Sequence, residues 1–240
     1  MTKVDWKSFW QSYRKREPVS EEDLFFEVGK TVNQRPISEP VFALSIDLIT
    51  RGLELTCHDR LLELCCGNGL MTRRLAPLVH KIQAVDFSEH LIGNARKFNV
   101  AENVTYICAD AITYLQDLAQ SRAFIATKIL LGDALCYFEP DELSKMLRAT
   151  RELAAGSFIF MATGIPCDEL KWNFYNTPDR VQRYHQNQLR ADNTNDGIGR
   201  WWQKAELESV GQALALEVTV KEQPATLSTF RIDAIFRTRG

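Results

Sequence analysis

The stretch Leu61–Leu70, LLELCCGNGL, decides how this chain is read. An apolar run carries one acid, passes through two cysteines and breaks on two glycines spaced G-x-G. A run of this length is a buried strand, and glycines directly after it let the backbone approach a ligand closely. Three readings follow: a nucleotide-binding turn, a redox or metal pair of cysteines, or a plain loop. A dinucleotide turn has the form G-x-G-x-x-G. Laid on Gly67 and Gly69, that pattern puts Thr72 in the third place, a mediocre match.

Working outward, short apolar runs alternate with helical patterns. Strands are expected at Arg60–Cys65, Lys81–Val85, Val104–Cys108, Ala126–Leu131 and Phe158–Ala162. Between them, helices are expected at Leu70–Leu78, Glu89–Phe98, near Ile112–Leu118 and at Glu142–Ala154. This β-α-β-α order predicts a parallel sheet covered on both faces. The C-terminal part reads as a helix and a two-stranded hairpin, which adds an antiparallel element. The first 55 residues read as a helical cap: Val4–Lys15, then SEEDLFFEVGK with Ser20 as N-cap and Gly29 as stop, then ISEPVFALSIDLITRG from Ser38 to Gly52. A polar loop, TVNQRP, separates the last two. From 163 to 202 little periodicity remains, yet six aromatic residues gather there; a loop this long is usually functional. The expected organisation is a cap at 1–55 and a main domain at 56–240, with the insert at about 163–202 forming part of a substrate site.

Composition narrows the function. The 240 residues are 45% hydrophobic and 25% charged, an ordinary balance for a globular protein. A net charge of −2 gives no general attraction to phosphate backbones, so nucleic acid is not the expected partner. The N-terminus shows no signal-peptide core and no run reaches the roughly 20 apolar residues of a membrane span, so a cytoplasmic protein with no membrane partner is expected. The six cysteines include no C-x-x-C pair and no histidine at finger spacing, so no metal site is expected; Cys65 and Cys66 read as small packing residues.

LLELCCGNG resembles the first motif of the class I S-adenosylmethionine-dependent methyltransferases. Glu63 stands in the acid position and Cys65 where a glycine is usual, ahead of Gly67 and Gly69. QAVDFSEHLIGNAR resembles the second motif, with Asp86 lying 23 residues past Glu63 and Phe87 after it. The resemblance implies that Asp86 accepts the ribose hydroxyls and that Phe87 packs on adenine. It implies that Asp110 and Ala111, in TYICADAITY, take the adenine edge, and that the backbone near Leu131 and Gly132 faces the methionyl end. The implied fold is a Rossmann-like, doubly wound, mostly parallel seven-stranded sheet with an antiparallel C-terminal strand. The implied cofactor is S-adenosyl-L-methionine, and the implied reaction is methylation of a small molecule. A cofactor-binding regulator and a nicotinamide-dependent oxidoreductase stand as alternatives.

The acceptor side is read from position. Asp133 and Tyr137 follow the fourth strand and should face the transferred methyl. His58 and His80 precede strands, at the wrong end of the sheet, and His90 reads as a surface residue. His185 lies in the aromatic insert and is the candidate general base, with Tyr184 and Trp201 beside it as substrate walls. Arg35 is the candidate cation for an anion, either the methionyl carboxylate or an acidic substrate. For Cys65, small size rather than an unusual backbone is the expected requirement.

Overall fold

The computed structural model describes residues 6–13, 18–154, 156–188 and 198–239. The expected helix over Val4–Lys15 appears as α1 (Trp6–Ser12), with Tyr13 following as a turn and Val4, Asp5, Arg14 and Lys15 lying outside the described residues. Helix α2 (Glu21–Glu27) starts at Ser20 through a capping box with Asp23, and Gly29 follows it in the left-handed region. Where a polar loop was expected there is a hairpin, β1 (Thr31–Val32) and β2 (Arg35–Pro36). Asn33 and Gln34 both take positive φ, the geometry of a type I′ turn. Its usual Asn-Gly signature is missing, since glutamine holds the second place.

Helix α3 (Glu39–Leu53) runs through Gly52 rather than ending there. Its Cα lies against Met161: a Cβ at this position would stand 2.5 Å from the sulfur. That glycine therefore serves helix-to-sheet contact, and the stop is Glu54 at φ 54°. The rest of the α/β alternation follows: β3 (Arg60–Leu64), α4 (Leu70–Leu75), β4 (Lys81–Asp86), α5 (Glu89–Phe98), β5 (Val104–Cys108), α6 (Ala111–Ser121), β6 (Lys128–Leu131), α7 (Pro140–Ala154) and β7 (Ile159–Pro166). The chain ends with α8 (Pro178–Gln188), α9 (Lys204–Ala213), β8 (Leu216–Glu222) and β9 (Arg231–Thr238).

The seven-stranded sheet has the order β5-β4-β3-β6-β7-β9-β8. The pairs from β5 to β7 are parallel, and β9 runs antiparallel between β7 and β8. Helices α3, α4 and α5 supply Phe42, Ile49, Leu75 and Ile92 to the core on one face. Helices α6, α7 and α9 supply Leu115, Leu143, Met146 and Leu207 to the core on the other. The segment 39–53, expected in the cap, is thus a layer of the sheet domain. The order reverses between β3 and β6, which opens a crevice at their carboxyl ends. Within the insert, α8 supplies the periodicity that the polar sequence concealed. Trp202 leaves the insert for the main core, its Nε1 donating to the Leu135 carbonyl at 3.2 Å. Among the described residues no helix is long and apolar enough to cross a membrane.

Candidate functional site

A cleft of about 770 Å³ occupies the crevice. Its floor is the loop after β3, residues Cys65–Asn68. The N–H of Cys66 donates to Val85 O at 2.9 Å and that of Gly69 to Cys66 O at 3.1 Å, which ties the loop to β4 and to itself. Gly67 and Gly69 have φ of 57° and 76°, and a Cβ at Gly69 would stand 2.5 Å from the Tyr106 hydroxyl. Neither position has room for a side chain. Cys65 also has positive φ, 57°. This corrects the expectation of a mere size requirement: the backbone needs the glycine conformation, and a Cβ there costs about 1–2 kcal/mol. Burial pushes the Cys65 and Cys66 thiols well above their ordinary range, as suits packing residues.

A buried polar clamp holds this loop from above. Asn68 donates to Leu24 O at 2.9 Å and to Glu27 Oε2 at 2.8 Å. Glu27, 3% exposed, also takes Asn94 at 2.6 Å and His90 at 2.7 Å. His90 is therefore more than a surface residue: it secures α2 to α5.

Around the cleft the carboxylates stand in strand order. Asp86 ends β4, and its two oxygens accept the N–H groups of Gly67 and Ser88, each at 2.9 Å. Burial pushes its carboxyl up against the pull of those donors. Asp110 caps α6, accepting Thr113 N–H at 3.0 Å, and pairs with Lys7 at 2.6 Å. Partial burial raises its pKa, but the bonds to Lys7 and Thr113 outweigh it, and the net direction is down. Phe87, Cys65, Gly67 and Ala111 line the same cavity.

At the far end Asp133 pairs with Lys30 and accepts from the Thr163 hydroxyl at 3.3 Å. Desolvation opposes its charge, yet Lys30 and Arg231 hold its carboxyl below the usual range. Tyr137 closes this end beneath two tryptophans of α1, with ring centroids 4.9 Å from Trp6 and 5.7 Å from Trp10. Trp6, Lys7, Trp10 and Lys30 line the cleft and are absent from the sequence-based candidates. A signal for the tryptophans existed, since residues four apart share one helix face.

The other candidates lie elsewhere. Glu63 is 1% exposed beneath the loop, and its carboxylate oxygens have no hydrogen-bond partner. Gly69 starts α4 behind the cleft wall, and the Leu131 side chain is in the core, so Gly132 forms the wall there. Arg35 is exposed on the hairpin; Lys30 is the cation that reaches the cavity. Tyr184 stacks with Trp172 and Tyr175, and Trp201 with Phe174 and Phe230, in an aromatic cluster outside the cleft walls. His185 is exposed on α8 against Tyr184 and does not line the cavity.

Residues 61–155 match the family model described as a methyltransferase domain. Over 57 residues the chain is 44% identical to a malonyl-[acyl-carrier protein] O-methyltransferase of Bacillus cereus, covering 23% of this chain and 21% of that one. The match thus spans about a fifth of the relative's length. Among solved structures, magnesium protoporphyrin IX methyltransferase (ChlM) from Synechocystis PCC 6803 with bound SAM is 12% identical, with a TM-score of 0.54 over 99% of this chain and 93% of its own. N-methyltransferase NodS from Bradyrhizobium japonicum WM9 is 14% identical, at 0.54 over 85% and 99%. The plantazolicin methyltransferase BpumL with a pentazolic analogue and SAH is 14% identical, at 0.57 over 84% and 87%. Residues 61–155 thus resemble a methyltransferase domain, and the seven-stranded sheet has the fold of these solved methyltransferases.

Proposed function

We propose that the protein transfers a methyl group from S-adenosyl-L-methionine to a small molecule. One observation carries this reading: a single cleft at the point where strand order reverses is lined, end to end, by the glycine loop, Asp86, Asp110 and Asp133. The match of the segment 61–155 to a methyltransferase domain supports it. So do the acceptors named for similar proteins, magnesium protoporphyrin IX and plantazolicin, which are not macromolecular chains of nucleic acid.

When bound, the cofactor supplies a methyl group carried on a positively charged sulfur. The chain's own residues bind and orient. Asp86, already fixed by two backbone N–H groups, presents its remaining lone pairs to the ribose hydroxyls. Phe87 would pack on the adenine, and Asp110 with the Ala111 backbone would hold its edge. Gly132 and Asp133 face the amino-acid end. Trp6, Trp10 and Tyr137 cover the reacting end and exclude water, which strengthens the electrostatic interactions inside.

Calorimetry with S-adenosylhomocysteine and with NADH tests the reading. Binding of the first at micromolar affinity or better, together with transfer of label from tritiated S-adenosylmethionine, is expected. Binding of NADH in its place would refute it.

A further inference from the structure

Methyl transfer needs a nucleophile, and an alcohol, a phenol or an ammonium must first lose a proton to something. The described residues that line the cleft include no histidine. Its carboxylates are engaged. Asp86 accepts from Gly67 and Ser88, Asp110 from Thr113 and Lys7, and Asp133 from Lys30 and Thr163. Glu142 accepts the Glu139 N–H at 2.8 Å where α7 begins. Burial keeps the protons on the Cys65 and Cys66 thiols and on the Tyr137 phenol.

Cations, by contrast, reach the cleft. Lys30 is the most enclosed, with its side chain 17% exposed, against 61% for Lys7 and 53% for Lys145. An ammonium has three donors, so Lys30 can hold Asp133 and a second anion together. Beside it stand the apolar surfaces of Trp6, Trp10, Tyr137 and Phe138. The Lys30–Asp133 pair is neutral in sum, so an acceptor anion can approach Lys30 without facing an unpaired aspartate there.

We propose that the acceptor is a carboxylic acid on an apolar body, taken as its anion and converted to a methyl ester, with Lys30 orienting its carboxylate. This rests on the methyltransferase reading above. A carboxylic acid is ionised at neutral pH, so it arrives as a nucleophile. One carboxylate oxygen attacks the methyl carbon, and a C–O bond forms as the C–S bond breaks. The electron pair of the broken bond stays on sulfur, which becomes neutral, and the acceptor's negative charge is cancelled in the same event. No proton moves, so the engaged carboxylates and protonated thiols are no obstacle.

The test uses the full chain, tritiated S-adenosylmethionine, a protein-free extract of bacterial metabolites, and the matched probes 2-naphthoate, 2-naphthol and 2-naphthylmethylamine. Label is expected in apolar products that release it as methanol in dilute hydroxide, as esters do. Lys30→Met is expected to lower kcat/KM for the acid acceptor more than tenfold, with Lys30→Arg retaining more activity than Lys30→Met. Because Lys30 also holds Asp133, affinity for S-adenosylhomocysteine should fall in Lys30→Met, but by less than tenfold and by less than kcat/KM for the acid acceptor. Label that survives base, or no transfer by protein that binds S-adenosylhomocysteine, overturns the proposal whatever the variants do. A tenfold loss of S-adenosylhomocysteine affinity in Lys30→Met overturns the role given to Lys30. Failure of the wild type to bind S-adenosylhomocysteine at all would instead refute the underlying methyltransferase reading.

Discussion

Lys7 Nζ lies 2.6 Å from Asp110 Oδ2 and so carries helix α1 across the mouth of the cleft. The helix has seven residues, none of them buried, and it is also held by tilted and edge-on contacts of the Trp6 and Trp10 rings with Tyr137. An exposed ion pair contributes ~0–1 kcal/mol, whereas each aromatic pair adds ~0.5–1.5 kcal/mol beyond its buried area. The rings therefore dominate closure. The double variant Trp6→Ala/Trp10→Ala should raise the S-adenosylhomocysteine off-rate at least tenfold, and Lys7→Ala less than fivefold. Stopped-flow displacement reads both; equal effects would contradict this ranking. Hydrogen exchange in α1 should slow when S-adenosylhomocysteine is added.

Asp86 has two tasks, and a substitution there should show both. Its oxygens hold the Gly67 and Ser88 N–H groups, and its free lone pairs meet the ligand. Asp86→Ala should weaken S-adenosylhomocysteine at least tenfold, about 1.4 kcal/mol. It should also destabilise the free protein by ~1–3 kcal/mol, because two N–H groups lose a charged acceptor. Unchanged affinity in calorimetry would remove the ribose assignment.

One wall of the cleft was legible because it follows chain order. The carboxyl ends of parallel strands face one crevice, so Gly67, Asp86 and Asp110, singled out by the resemblance, could be placed on it together. The opposite wall was not, because it depends on which distant segments fold over the cleft. The insert attracted attention by its aromatic content, but Phe174, Tyr175, Tyr184 and Trp201 pack on one another. Trp6 and Trp10, in a short aromatic-rich helix far from the insert in sequence, line the cleft instead. Lys30 was passed over for Arg35 because the hairpin that separates them, with two positive-φ residues at its turn, read as a loop.

For His185 the geometry predicts little effect. It is exposed on α8 and touches the Tyr184 ring rather than the cleft. His185→Ala should change turnover less than threefold. General-base removal typically costs 10²–10⁴-fold, so a loss of that size would restore the histidine to the mechanism.

Cys65 stands at φ 57°, where only glycine is unstrained. Cys65→Ala keeps the strain and removes the thiol, and Cys65→Gly removes both. The glycine variant should be more stable than the alanine variant by ~0.5–1 kcal/mol, the relief of Cβ strain less the greater chain entropy of unfolded glycine. Urea titration of the two variants measures this. An alanine variant at least as stable would show that the loop does not hold residue 65 in this conformation.

Glu63 gives the last prediction, and its sign follows from burial. Its carboxyl lies beneath the glycine loop with neither oxygen hydrogen-bonded, beside Thr72. Burial raises its pKa from 4.5 to about 7, and Thr72 and the charge of Lys30 offset this only in part. The folded state thus binds this proton more tightly than the unfolded chain does. The stabilisation is fully present below 4.5 and is lost as pH rises through about 7, with a ceiling of ~3 kcal/mol. Glu63→Gln has nearly the same shape and no charge to titrate. In urea titrations at pH 5, 6, 7 and 8, the stability of wild type relative to Glu63→Gln should fall by ~2–3 kcal/mol from the lowest pH to the highest. The glutamine variant should be the more stable of the two at pH 8 if the charged form is as poorly solvated as its surroundings indicate. A difference that is flat across this range would mean that Glu63 stays ionised in the folded protein, which would require a partner for its carboxylate beneath the loop.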